Sequence, residues 1–273
     1  TSSSAALTGP LLHDPRLRKL SFTGSTAVGK ALLREAAANV LRVSMELGGC
    51  APFIVFDDAD LERAVAAAKS AKLRNMGEAC NAANRFYVAH ELADEFATRL
   101  ATEFRGLVVG DGLDPATDIG PIITSEQLHR LRGLVSSAQM HGSQVLVGGE
   151  EIAGPGYFYR PTVLTVPDPG EPVVCEELFG PVAPVVPFDS EEQVLSWANA
   201  SPVGLAAYVH TANIDRALRM SERLEAGMVG INSAAISNPA APFGGVKHSG
   251  LGREGGSEGI AEYLETIYVG IPI

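Results

Sequence analysis

The chain has 273 residues, 46% of them apolar and 19% charged, with 32 acidic against 21 basic side chains and a formal net charge of −11. That length builds one large domain or two smaller ones around a substantial core, and the acidic balance repels a polyanion, which excludes nucleic acid as an expected partner. No apolar run reaches the roughly 18 residues that span a bilayer, and no charged-then-apolar leader opens the chain. The expected location is cytoplasmic, with no membrane contact. Cys50, Cys80 and Cys175 are too few and too widely spaced for a disulfide framework or a zinc site. No metal is expected.

In chain order, KLSFTG (19–24) reads as a strand that feeds a helix over 28–38 through a Gly-Ser-Thr turn. MELGG (45–49) places Glu46 at a strand end before two glycines. A strand over 51–56 follows, then a helix over 61–74 with Asp58 or Asp60 as its cap. RNMGEACNAANRF carries Cys80 into a strand over 85–89. Helices over 93–104 and 125–141 come next, the second opened by Thr124 with Gln127 three residues on, in the manner of a capping box. Further strands are expected over 143–149, 183–188, 205–211 and 227–232, with helices over 190–199 and 214–224. CEELFGP (175–181) and the glycine-dense PFGGVKHSGLGREGG (242–256) punctuate the second half. Strands alternating with helices predict an α/β chain with a mostly parallel sheet.

Several of these stretches suit chemistry, each beside a plainer reading. FTGSTAVGK is neither a dinucleotide fingerprint nor a P-loop, since Lys30 is not followed by Ser or Thr. Its turn and helix start present N–H groups to an anion such as a pyrophosphate, or simply form a capped helix. Glu46 suits a general base, or is an ordinary charge at a strand end. Cys80 is a small buried hydrophobe unless a base and oxyanion donors make it a nucleophile. Glu177 beside Phe179 suits a ribose diol next to a nicotinamide, or is a surface acid in a loop.

The order FTGST, MELGG, RNxGxxCxxxNRF, GDGLDPATDIGP, EELFGP, GMVGIN, PFGGVKHSGLGREGG resembles the NAD(P)-dependent aldehyde dehydrogenases, from about Leu20 to Ile273. The resemblance implies that Cys80 is the nucleophile, passing through a thiohemiacetal and a thioester, and that Glu46 activates the hydrolytic water. The backbone N–H of Cys80 would supply half of an oxyanion hole. Gly24, Ser25 and Leu47 would line the NAD or NADP site, Glu177 would hold the nicotinamide ribose and Phe179 would flank the ring. Among these enzymes the chain is most similar to succinate-semialdehyde dehydrogenases. That similarity implies a small aldehyde with a distal carboxylate, gripped by Arg74 and Ser237.

Family chains are longer. Most of their cofactor-binding domain, the Asn that completes the oxyanion hole and the region that separates NAD from NADP precede FTGST. The expected fold is therefore an aldehyde dehydrogenase-like α/β catalytic domain plus the end of a Rossmann-type cofactor domain. Residues 1–48 would belong to the cofactor domain, 49–248 to the catalytic domain and 249–273 to a return segment. In that segment EYLETIYVGIPI resembles a strand that pairs subunits into a homo-oligomer. Such a chain would need the N-terminal half for full activity. The alternatives are a non-catalytic fragment or structural partner, and a cofactor-independent thiol esterase using Cys80 and Glu46. Glu78, two residues before Cys80, would raise the thiol's pKa. Cys50 is expected to be a buried thiol.

Overall fold

The computed structural model describes residues 4–272. The chain divides into two compact units, one of residues 1–48 with 237–273 and one of 49–236.

The smaller unit holds helix α1 (Ser4–Leu12), strand β1 (Lys19–Thr23), helix α2 (Thr26–Ala37) and strand β2 (Arg42–Glu46). β1 and β2 pair in parallel from Lys19↔Arg42 to Thr23↔Glu46, and a short strand, Gly250–Leu251, adds antiparallel to β2. α2 starts two residues earlier than predicted because Ser25 caps it, its hydroxyl accepting from the Val28 N–H at 3.4 Å. α1 escapes the sequence reading because Gly9 and Pro10 lie inside it. The return to this unit begins at Ser237, not at residue 249 as expected. The reason is that Phe243 and Glu254 exchange two backbone hydrogen bonds, at 2.6 and 2.7 Å, which close the glycine-rich segment on itself. No strand forms in EYLETIYVGIPI over residues 264–272, and Ile273 lies outside the described residues.

The larger unit is built on strands β3 (Ala51–Val55), β4 (Ala83–Ala89), β5 (Gln144–Val147), β6 (Thr162–Thr165), β7 (Val182–Phe188), β8 (Ala206–His210) and β9 (Met228–Ile231). They form one sheet in the order β9-β8-β3-β4-β7-β6-β5. Every neighbouring pair is parallel except β5 with β6. All residues of β3, β4 and β8 are buried. Near-continuous apolar runs are what a parallel sheet covered on both faces requires. Helices α3 (Leu61–Leu73), α4 (His90–Arg105), α5 (Ser125–Met140), α6 (Pro172–Cys175), α7 (Glu191–Asn199) and α8 (Ile214–Arg223) connect them. Asp60 caps α3 and Thr124 caps α5, through the N–H groups of Arg63 and Gln127. β6 and α6 have four residues each, too few for a periodic pattern to register. Among the described residues no helix is long and apolar enough to cross a membrane.

Between α3 and β4 the chain makes a turn at Arg74–Gly77 with three successive residues in the left-handed region: Asn75 (φ 47°), Met76 (φ 57°) and Gly77 (φ 77°). A Cβ on Gly77 would press into the carbonyl oxygen of Gly180 and lie 2.9 Å from that of Lys72. Gly77→Ala is expected to lose roughly 2 kcal/mol or more of stability, because left-handed backbone strain adds to a clash with fixed backbone. Urea unfolding of the two proteins checks this.

Candidate active site

Cys80 follows directly on this strained turn and is half-buried, whereas Cys50 is buried and Cys175 is exposed. The backbone around it is tightly fixed. Ala82 donates to the carbonyl of Ala79 at 3.0 Å, and the Tyr208 hydroxyl donates to the carbonyl of Asn81 at 2.8 Å. Both Arg74 and Cys80 act electrostatically on Tyr208, which places the two around that phenol. Arg74 itself is exposed, at the C-terminal end of α3. Gly49 comes so close that a Cβ there would lie 2.6 Å from the Cys80 carbonyl oxygen. The same residue's N–H donates to Oε1 of Glu177 at 3.2 Å. Gly49 thus links the cysteine backbone to the loop of EELFGP.

That loop is clasped from two sides. Asn84, in β4, donates to the Glu176 carbonyl at 2.6 Å and accepts from the Leu178 N–H at 3.1 Å. From α5, Gln127 donates to the carbonyls of Leu178 and Phe179 at 2.6 and 2.7 Å. Arg130 donates to the Glu177 carbonyl at 2.8 Å and pairs with the Glu176 carboxylate at 2.7 Å. The clasp holds Phe179 in the left-handed region at φ 49°, a strained placement for a non-glycine residue. Burial pushes the Glu177 carboxyl up, while the Gly49 N–H, Arg130 and Lys72 pull it back. Gln127 corrects the capping-box reading. Its backbone N–H is capped by Thr124, but its side chain reaches to this loop and not back to the cap.

Glu78, expected beside the thiol as a like charge, has its carboxylate on the Ile123 N–H at 3.0 Å. Cys50 is 4% exposed, the buried thiol expected of it. Its Sγ faces the carbonyls of Val174, Cys175 and Glu176 at 3.6 to 3.7 Å and receives the Asn84 amide at 3.2 Å.

In the smaller unit Glu46 ends β2 and is 4% exposed. Its Oε2 has no hydrogen-bond partner among the described residues. Burial raises its pKa to about 7, with Glu254 pushing the same way and Arg253 opposing. A carboxyl poised there exchanges protons near neutrality. Leu47 is buried and packs under Gly29 of α2, where a Cβ would meet it at 2.5 Å. Gly24 and Ser25 lie at the exposed start of α2, but the Gly24 N–H is already committed to the Glu46 carbonyl at 3.0 Å. Ser237 is exposed in the same unit.

The model of the aldehyde dehydrogenase family matches residues 1–269. The chain belongs to the aldehyde dehydrogenase family. It is 54% identical to a succinate-semialdehyde dehydrogenase of Paenarthrobacter nicotinovorans, covering 99% of this chain and 60% of that one. It is 48% identical to a 3-sulfolactaldehyde dehydrogenase of Pseudomonas putida, over 98% of this chain and 55% of the relative. A crystal structure of an aldehyde dehydrogenase from Brucella melitensis biovar abortus superposes with a TM-score of 0.95 at 48% identity, covering 98% of this chain and 55% of that chain. The chain thus spans little more than half the length of the relatives it matches.

Sequence reading picked out Cys80, Glu177, Phe179 and Arg74 in one unit and Glu46, Gly24, Ser25, Leu47 and Ser237 in the other. It missed the side chains that hold the first group in place, Asn84, Gln127 and Arg130, and those that act on Glu46, Arg253 and Glu254. Asn84 stands in RNMGEACNAANRF and Arg253 in the glycine-dense run, so both lay within signals already noted. Gln127 and Arg130 lay on a helix that reads as purely structural.

Two outcomes are expected. A carboxyl whose folded pKa lies above its unfolded value binds extra protons in the folded state, so stability falls as pH rises from about 4.5 to about 7. Glu46→Gln should remove that part of the slope in chemical-denaturation curves taken across this window. Gln127→Ala frees two carbonyls of the 178–179 loop, and amide exchange there should rise by about an order of magnitude, with the β4 amides unchanged.

Proposed function

We propose that this chain supplies the nucleophile and the base of an NAD(P)-dependent aldehyde dehydrogenase that acts on small aldehydes with a distal anionic group, succinic semialdehyde first among them. The observation that carries this reading is Gly49, which lies too close to the Cys80 carbonyl to admit a Cβ and donates its N–H to the Glu177 carboxylate. A half-exposed thiol and a half-buried carboxylate are thereby fixed on one stretch of backbone.

On this reading the Cys80 thiolate attacks the aldehyde carbon to give a thiohemiacetal. The backbone N–H of Cys80 stabilises the oxyanion; its rigidity comes from the turn behind it and from Tyr208 on Asn81. Bound NAD or NADP would supply the two-electron acceptor that turns this adduct into a thioester. The residues present fit such a group. Glu177 keeps one oxygen on the Gly49 N–H, and a carboxylate still accepts further donors, such as the hydroxyls of a ribose. Phe179, fixed by the Gln127 clasp, would lie beside the nicotinamide. Gly24, Ser25 and Leu47 would contribute at the start of α2. Glu46, with a pKa near the working pH, would take a proton from water as it attacks the thioester and release it afterwards. The chain would act with the N-terminal segment that its longer relatives carry, as a homo-oligomer.

The substrate reading rests on Arg74 and on the relatives. Succinate semialdehyde and 3-sulfolactaldehyde, the substrates in the relatives' names, both bear an anionic group besides the aldehyde. An exposed guanidinium near the Cys80–Tyr208 pair suits such a group.

The purified chain, alone and with the N-terminal segment of a longer relative, should form NAD(P)H from succinic semialdehyde, and Cys80→Ala should not. Equal rates with and without Cys80 would sink the nucleophile assignment. Ester hydrolysis without nicotinamide would point to the thiol esterase alternative. Arg74→Ala should raise KM for succinic semialdehyde about tenfold or more with little change for a neutral aldehyde, since it removes binding to the distal anion only. Equal effects on both substrates would refute the anchor.

A further inference from the structure

The turn that leads into Cys80 runs through three successive left-handed residues, Asn75, Met76 and Gly77. Such backbone persists only where its surroundings hold it. Two bonds close the turn on itself: the Asn75 side-chain amide donates to the Glu78 carbonyl, and the Glu78 N–H donates to the Asn75 carbonyl, both at 2.9 Å. Three further contacts fix where the turn sits. Gly77 lies against Gly180. The Met76 sulfur lies 3.4 Å from where a Cβ on Gly120 would stand. The Glu78 carboxylate accepts from the Ile123 N–H at 3.0 Å, across 45 positions of chain.

Ile123 directly precedes Thr124, the cap of α5. A glutamate that reaches a helix start ordinarily serves the helix, as a cap or as a charge on its dipole. Here α5 already has both. Thr124 takes the Gln127 N–H, and Glu126 supplies an acid in the first turn. The Ile123 N–H lies outside the helix. What the bond joins is the cysteine turn to the helix that bears Gln127 and Arg130. Those two side chains donate to the carbonyls of Glu177, Leu178 and Phe179. One helix therefore holds both the turn of Cys80, through Glu78, and the loop of Glu177, through Gln127 and Arg130. A carboxylate is a strong acceptor for a backbone N–H, and Glu78 is half-buried, which shelters the bond from water.

We propose that Glu78 is a positioning residue for the nucleophile: its carboxylate latches the Cys80 turn to the start of α5 and so sets the thiol at a fixed place relative to the loop of Glu177 and Phe179. The inference rests on the reading of Cys80 given under Proposed function. Glu78 acts through the backbone that leads to Cys80 and takes no part in bond making. The latch requires an acceptor at the end of a side chain of this length, and it does not require a charge. Glutamine offers such an acceptor at the same reach, and alanine offers none.

The test compares Glu78→Ala and Glu78→Gln with the unaltered whole chain. In Glu78→Ala the amides of Ile123 and Ala82 should exchange about tenfold faster, and in Glu78→Gln they should stay within about twofold of the unaltered chain. Equal exchange in all three proteins, or a rise in Glu78→Gln as large as in Glu78→Ala, would overturn the latch. The placement of the thiol is read from iodoacetamide alkylation of the Cys80 peptide across pH, taking the alkaline plateau, where every thiol is ionised. Opening the turn uncovers a half-buried thiol, so the plateau rate should rise severalfold in Glu78→Ala and return in Glu78→Gln. A residue that merely supports the fold would lower the folded fraction and leave this plateau unmoved in the folded protein, and that result would overturn the positioning role. If Glu78→Ala does not fold, the Ile123 amide proton decides: its shift should follow a carboxyl titration in the unaltered chain and stay flat in Glu78→Gln, and a flat response in both would overturn the proposal. None of these measurements needs a nicotinamide cofactor. Aldehyde oxidation that survives Cys80→Ala would instead remove the underlying reading of Cys80, and the exchange data would still show whether the turn is latched.

Discussion

The chemistry of the larger unit depends on two backbone approaches that no side chain permits. At Gly49 the chain entering β3 lies against the Cys80 carbonyl, and at Gly77 the turn before Cys80 lies against Gly180, both close enough that a Cβ would clash. The two contacts pin one backbone segment between the β3 entrance and the loop of Glu177 and Phe179. If Cys80 is the nucleophile proposed above, it must be held to a fraction of an ångström for attack to be productive, and packed backbone can hold it so. The cost appears as three successive left-handed residues, Asn75 to Gly77, two of which are not glycine. Strain of this size survives only where neighbouring structure fixes it from several directions. Here the end of α3, the sheet and the Glu176–Gly180 loop all do so.

The loop has its own logic. Its carbonyls at Glu176, Glu177, Leu178 and Phe179 are each taken by a side chain from a regular element, Asn84 from β4 and Gln127 and Arg130 from α5. Loops that carry function on a rigid scaffold are common. This one is held by donors reaching into its main chain, so that the side chains of Glu177 and Phe179 are not what fixes its course. The capping of α5 by Thr124 fixes the first turn of that helix, and with it the direction of Gln127. A feature that looks like helix bookkeeping in the sequence is therefore a support of the loop.

How far the sequence discloses this follows from what kind of information each feature uses. Six of the seven strands of the large sheet announce themselves by β-branched runs, because a parallel sheet buried on both faces admits little else. Asp60 and Thr124 are legible as caps because capping is local. The four-residue strand Thr162–Thr165 and the four-residue helix Pro172–Cys175 are too short to show a period. The helix Ser4–Leu12 is masked by its own Gly9 and Pro10. Cys80 and Glu177 emerge from ordered motifs, and Glu46 from its place before two glycines. The supporting residues do not, for their partners lie 34 to 128 positions away in the chain for pairs such as Asn84 with Cys50 and Gly49 with Glu177. Only the folded sheet brings them together.

Two carboxylates, one in each unit, stand in different electrostatic surroundings. Burial raises both Glu46 and Glu177. Around Glu46 the charged neighbours oppose one another, Glu254 against Arg253, so burial dominates and the group titrates near neutrality. Around Glu177 every further influence pulls downward, from the Gly49 N–H, Arg130 and Lys72. On the proposed reading, the first environment suits a group that gains and loses a proton, and the second suits one that accepts hydrogen bonds. Environments that set like groups to unlike tasks are a recurrent means of assigning acid, base and binding roles. In this chain the difference comes down to whether cations alone, or a cation and an anion together, lie beside a buried carboxyl.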